Sequence, residues 1–154
     1  MILGLFLCTI FITAHIHVWL VPQMTRIGYA MMAEPLSTRL MGHLPHLTWI
    51  LGAIFPMFGN TAIRISGLPL YVAGRLLIAF AMKANPYYRP VITIPPIIVK
   101  DGPYRFLAHP GYLGCALAAV GGWLALPSVI GLGAMAIYLS SILRRVFIEN
   151  KILK

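Results

Sequence analysis

Apolar residues run along this chain in long uncharged blocks. Five stand out, at about 2–21, 44–63, 66–82, 111–126 and 128–143. A helix needs about 20 predominantly apolar residues to cross a bilayer, so the pattern predicts five membrane spans. The last two are short and separated only by Pro127. They read as a tight helical hairpin, tilted or partly sunk, rather than as two full-length spans. The first block, Met1 to Val21, contains no Lys, Arg, Asp or Glu. It lacks the positive n-region and small-residue cleavage site of a signal peptide, which makes it an uncleaved transmembrane helix. Between the first two blocks, "PQMTRIGYAMMAEPLSTRLMGH" is too apolar for a solvated linker. Pro22 and Pro35 break it, leaving short amphipathic pieces along the interface.

Composition sharpens this picture. Of the 154 residues, 60% are hydrophobic and 10% charged, against about 25% charged in an ordinary soluble domain. A soluble helical core is therefore excluded, and the fold class is all-α: a single polytopic membrane domain over residues 1–154. Cys8 and Cys115 lie in predicted spans without a C-x-x-C context and read as buried, inert thiols.

Charge then orients the spans. With the N-terminus outside, ten basic residues fall on one side: Arg26, Arg39, Lys83, Arg89, Lys100, Arg105, Arg144, Arg145, Lys151 and Lys154. Only Arg64 falls on the other, and Arg75 lies within a span. The positive-inside rule makes segments 22–43, 83–110 and 144–154 cytoplasmic. The formal charge of +9 is thus a topological signal, reinforced by attraction to anionic head groups. Charges dispersed among spans do not form a nucleic-acid surface. The same topology puts "KDGPYRFLAHPGYLG", residues 100–114, on one face with the C-terminal segment.

That stretch carries the candidate chemistry. Asp101-Gly102-Pro103 is a turn signal, and His109-Pro110-Gly111 precedes an apolar run, where proline suits a first helical turn. One reading is a connecting turn with Tyr104, Phe106 and Tyr112 as interfacial aromatics. The other is a ligand site, in which the helix start receives an anionic group. His109 then supplies a hydrogen bond, and Tyr104 and Tyr112 stack or face a cation.

"GPYRFLAHPGYLG" resembles the G-P-Y-R-x-x-R-H-P-x-Y-x-G signature of the isoprenylcysteine carboxyl methyltransferase family, itself similar to membrane phospholipid N-methyltransferases. The lead-in "NPYYRPVITIPPIIVKDGPYRF" is similar to the family's aromatic pair and extended stretch. "RRVFIENKILK" resembles its R-x-x-x-E-E-x-x-L helix, with Arg145, Glu149 and Leu153 in register. The likeness is clearest over residues 74–153. Ala108 stands where the pattern has Arg, and Asn150 where it has a second Glu. The pattern also runs on past Lys154 into an aromatic, proline-containing tail, so a C-terminal tail is expected to be missing here.

The resemblance implies a membrane methyltransferase that takes S-adenosylmethionine at a cytoplasmic loop and methylates a lipid-associated acceptor, most simply a prenylated cysteine carboxylate. It carries His109, Pro110, Tyr112 and Glu149 over to the cofactor; Tyr104 and Gly111 join them from the reading of the stretch itself, and Glu149 and the mid-span Arg75 are the catalytic candidates. The membrane would be the endoplasmic reticulum in a eukaryote and the plasma membrane in a prokaryote. Alternatives are a phospholipid or small-molecule methyltransferase on the same scaffold, and a non-catalytic relative.

Other features point elsewhere. Arg75 sits mid-span, where a cation costs about 2.5–3.5 kcal/mol; it either snorkels to carbonyls or faces a cavity, pairing with Glu149 or a substrate carboxylate. His15 and His17 face different directions, and His43 and His46 alone make no metal site, so no metal is expected. The Gly-rich runs at 111–122 and 131–133 predict close packing between the two hairpin helices. No G-x-G-x-x-G follows a strand, which excludes a Rossmann methyltransferase, and no paired repeats suggest a transporter.

Overall fold

The computed structural model describes residues 58–88 and 97–152. The expected spans at 2–21 and most of 44–63, with the 22–43 segment, lie outside the described residues. Among those described, the chain is all-helical. Helix α1 spans Thr61–Ala84, a 3-10 turn spans Gly102–Arg105, α2 spans Pro110–Ala125 and α3 spans Val129–Ile152.

Two boundaries correct the sequence expectation. A span was expected to run to 63 and another to begin at 66, with Arg64 between them. Instead Gly59 takes a left-handed φ of +89°, and the Asn60 side chain caps the next helix by accepting from the Ile63 N–H at 2.9 Å. Helix α1 therefore starts at Thr61 and carries Arg64 in its first turn. It ends where Asn85 precedes Pro86, a pair that disfavours helical backbone; the Asn85 N–H still bonds to the Ala81 carbonyl at 3.0 Å.

The second correction concerns α3. It was expected to stop near 143, yet it runs 24 residues, through Arg144 and Arg145 to Ile152. Charge ended the apolar run without ending the helix, because Arg, Glu and Lys are all good helix formers. At about 1.5 Å per residue, α1 and α3 are each about 36 Å long, enough to cross a bilayer core of about 30 Å. Both are also apolar enough. Helix α2, with 16 residues, is about 24 Å long and stays short.

Helix α2 packs chiefly on α1, and glycine is the reason. Gly67 lies opposite Gly121, and Gly74 opposite Gly114, so the antiparallel alignment advances seven residues, about two turns, on both helices. A Cβ on Gly67 would sit 2.5 Å from the Gly121 carbonyl oxygen, and one on Gly114 would sit 2.7 Å from that of Gly74. On Gly74 it would strike the Ala118 amide, and on Gly121 the amide of Tyr71. The backbones touch. Tyr71, 1% exposed, packs with Ala118, Ala125 and Leu126 beside this seam. The expectation that the 111–122 glycines seat α2 against α3 is therefore corrected: Gly114 and Gly121 seat it against α1. Among the 131–133 glycines, Gly131 packs on Ser128 and Trp123, while Gly133 meets nothing within 4 Å.

The α2–α3 connection is tight, as the hairpin reading expected. Pro127 and Ser128 are fully buried. The Ser128 hydroxyl accepts from the Gly131 N–H at 3.0 Å, capping α3, and the Trp123 indole N–H donates to the Ser128 carbonyl at 3.1 Å. The Phe58 N–H bonds to the Pro127 carbonyl at 3.2 Å, which ties the start of α1 to this end of the bundle. Arg64 belongs to the same end, its Nε donating to the Ala125 carbonyl at 3.5 Å.

At the opposite end, the alignment sets the start of α2 near Ile78, so α1 continues about six residues, or about 9 Å, beyond it. The 3-10 turn fills that step. Its Gly102, at φ +56°, lies so close to Ala84 that a Cβ would be 2.8 Å from the Ala84 Cβ.

The seam yields a direct comparison. Gly74→Leu and Gly121→Leu each require backbone displacement, whereas Gly133→Ala removes helix-destabilising glycine at an open position, worth about 1 kcal/mol. Thermal unfolding in detergent should show the two seam variants losing the folded, monodisperse state. Gly133→Ala should unfold at or slightly above the wild-type temperature.

Candidate functional site

The end of the bundle away from Arg64 gathers the last turn of α1, the 3-10 turn, the start of α2 and the last turns of α3. The 3-10 turn, α2, α3 and the turn that follows α1 contribute polar or aromatic side chains, and those of α2 meet one carboxylate on α3.

That carboxylate is Glu149, on α3. The Tyr112 hydroxyl donates to its Oε1 at 2.6 Å, and His109 Nδ1 lies 3.3 Å from its Oε2. His109 and Tyr112 are three residues apart at the start of α2, so they share a face, with ring centroids 5.8 Å apart. His109 occupies the N-cap position but its side chain caps nothing. It turns across to α3, where Nε2 lies 2.8 Å from Asn150 Oδ1. The side chains of His109 and Glu149 are 16% and 19% exposed: held, yet reachable from solvent.

Two further tyrosines complete the wall. Tyr104, in the 3-10 turn, accepts from Asn85 Nδ2 at 3.4 Å. Its phenol is pushed above its ordinary value by burial, with Glu149 adding to the rise and the Asn85 hydrogen bond opposing it. Tyr88 follows α1 in a turn closed by its N–H to the Asn85 carbonyl at 3.0 Å. Its ring lies against Gly111, where a Cβ would be 2.5 Å from Tyr88 Cε2. Burial raises the Tyr88 phenol strongly; Cys115, Tyr104 and Glu149 add to that rise, and Arg75 opposes it.

The sequence-derived candidates thus separate into groups. His109, Tyr112 and Glu149 are in direct contact, and Tyr104 stands within electrostatic reach of Glu149. Pro110 and Gly111 are buried, so Pro110 starts the helix and Gly111 gives room to the Tyr88 ring. Arg75 lies further along α1, within electrostatic reach of Tyr88 and of Cys115. Cys115 is a free thiol hydrogen-bonded to Tyr138.

Sequence reasoning gave no role to Tyr88, Asn85 or Tyr138. The aromatic pair Tyr87-Tyr88 was a visible signal, whereas Tyr138 sits in an apolar run without one. Asn150 was visible only as a departure from a pattern. Among the described residues no cluster of three or more His, Cys, Asp or Glu could hold a metal ion.

A carboxylate lined by phenol rings is suited to a cation, since both the charge and the ring faces attract it. The chain has three acidic residues, Glu34, Asp101 and Glu149. Of the two among the described residues, Glu149 lies in this aromatic setting and Asp101 is exposed in a turn.

The sequence model of the isoprenylcysteine carboxyl methyltransferase (ICMT) family matches residues 58–154, which include every helix and side chain described above. No curated protein and no solved structure matches the chain.

The buried phenols fix the alkaline behaviour. In the unfolded chain Tyr88 ionises near its ordinary 10.0, and in the folded protein it holds its proton to higher pH. The folded state then binds more protons above pH 10, so stability is complete below that pH and falls as pH rises past it. Tyr88→Phe removes this contribution. Its alkaline unfolding midpoint, followed by circular dichroism, should move to higher pH than that of the wild type.

Proposed function

Because the chain belongs to the isoprenylcysteine carboxyl methyltransferase family, we propose that it is a membrane-embedded, S-adenosylmethionine-dependent methyltransferase acting on a carboxylate, that of a C-terminal isoprenylcysteine. The observation that carries this reading is the Glu149 carboxylate, held by Tyr112 and His109 in an otherwise basic chain. S-adenosylmethionine supplies an activated methyl group and presents a sulfonium, an ammonium and a carboxylate to its binding site. Glu149 matches the cationic part in charge, and the rings of Tyr104 and Tyr112 match it in polarisability. His109, beside the start of α2, offers a hydrogen bond to the polar remainder.

The scarcity of bases favours a carboxylate acceptor. An amine must lose a proton before it attacks, and the groups available to take it are His109 and Glu149. Both are already engaged with each other, and Glu149 also with Tyr112. A carboxylate is ionised from the start and needs no base. In this reading Arg75 is the cation that receives it, from a mid-helix position a lipid-borne acceptor can reach without leaving the bilayer. The chain's task is then positioning and exclusion of water. The distribution of Lys and Arg supports a cytoplasmic orientation for this end of the bundle.

Titration calorimetry in nanodiscs tests the reading. The wild type should bind S-adenosylmethionine in the micromolar range. His109→Ala and Glu149→Ala should each weaken binding at least about tenfold, as expected when a charge-assisted contact is lost. Arg64→Ala, at the far end, should bind as the wild type does. A folded wild type that shows no binding up to millimolar cofactor would sink the proposal in favour of a non-catalytic relative. Methyl transfer to phospholipid but not to prenylcysteine would move the acceptor assignment.

A further inference from the structure

His109 is gripped from α3 by two consecutive residues. Glu149 faces Nδ1 at 3.3 Å, and Asn150 faces Nε2 at the shorter distance of 2.8 Å. Successive positions on a helix point about 100° apart, so the two side chains reach the imidazole from different sides. The ring performs no capping of its own helix. We propose that Asn150 is a positioning residue, whose neutral amide fixes the orientation of the His109 ring toward Glu149 whichever ring nitrogen carries the proton.

The argument lies in donor and acceptor inventory. An ionised carboxylate only accepts, so beside Glu149 the neutral imidazole places its N–H on Nδ1 and leaves Nε2 a lone pair. An amide turned by 180° donates to that lone pair. When the ring is doubly protonated, the same amide accepts from Nε2–H through Oδ1. Either state of the ring is satisfied. A carboxylate at 150 would serve only the protonated ring and would set two anions around it. The groups facing the imidazole are Glu149 and Asn150 from α3 and Tyr112 from α2. Beyond them, Tyr88 and Tyr104 lie within electrostatic reach of Glu149, and Arg145 within reach of Tyr112. Asn150 is itself exposed, so its replacement leaves the helix packing intact.

The affinity arm of the test rests on the cofactor proposed above, while the spectroscopic arm does not. In the full chain in nanodiscs, Asn150→Leu should weaken S-adenosylmethionine about three- to tenfold, the loss of one modest hydrogen bond, with an unchanged unfolding temperature. Asn150→Asp should match the wild type under conditions where its own ring ¹⁵N signals show both nitrogens protonated, and should be as weak as Asn150→Leu where they show a neutral ring. In the neutral ring, the ¹⁵N signals of His109 should show one fixed tautomer in the wild type and altered or averaged signals in Asn150→Leu, with or without cofactor. If the wild type does not bind S-adenosylmethionine, the functional reading fails and these signals alone decide the present one. Asn150→Leu ring signals identical to those of the wild type would overturn it. So would Asn150→Asp binding as tightly as the wild type in both protonation states of the ring.

Discussion

The backbone contact between α1 and α2 is the constraint on which the rest depends. Where Gly67 meets Gly121 and Gly74 meets Gly114, no Cβ holds the helices apart. Within a bilayer there is little hydrophobic gain in pressing one apolar helix against another, so close van der Waals contact between small residues has to supply the association. The seam also sets the register. Two contact pairs seven residues apart forbid sliding by less than a full repeat, and the register decides what stands beside His109. Tyr88 crosses Gly111, and the 3-10 turn docks on Ala84, because α1 and α2 are aligned in this one way.

Electrostatics is then built on that frame. The described end of the bundle holds Lys83, Lys100, Arg105, Arg144, Arg145 and Lys151 against Asp101 and Glu149. The Glu149 carboxylate accepts from the Tyr112 phenol and faces the His109 imidazole, and its charge is felt by nearby tyrosines. Burial is the larger cause of the upward displacement of the Tyr88 and Tyr104 phenols, and Glu149 adds to it.

Much of this was legible in the residues themselves. The apolar runs located α1 and α2 to within a few positions, and the His-Pro-Gly-Tyr stretch marked the start of α2. The match of the Arg145–Leu153 segment to a known pattern brought Glu149 to attention before any contact was known. The failures share a cause: sequence shows which positions are small or apolar but not which neighbour they face. The glycines of α2 were read against α3, their chain neighbour, although the complementary pair at 67 and 74 lay on α1. The end of α3 was placed where hydrophobicity stopped, yet helix propensity continued through Arg144 to Ile152. Tyr88 and Asn150 left a trace in the sequence, one in an aromatic pair and one as a departure from a pattern, but their place in the site is a matter of what lies across from them.

The unequal lengths of the helices carry a consequence for where events happen in the membrane. Helix α2 begins about 9 Å short of the end of α1, and the small turn that covers the difference leaves Glu149 and His109 partly open. The polar centre is therefore set back from the end of α1 by that step. Its setback is written in the chain as a difference in residue count between the two helices. One added turn at the start of α2 would carry His109 and Tyr112 about 5.4 Å along the helix axis, away from Glu149 and Asn150.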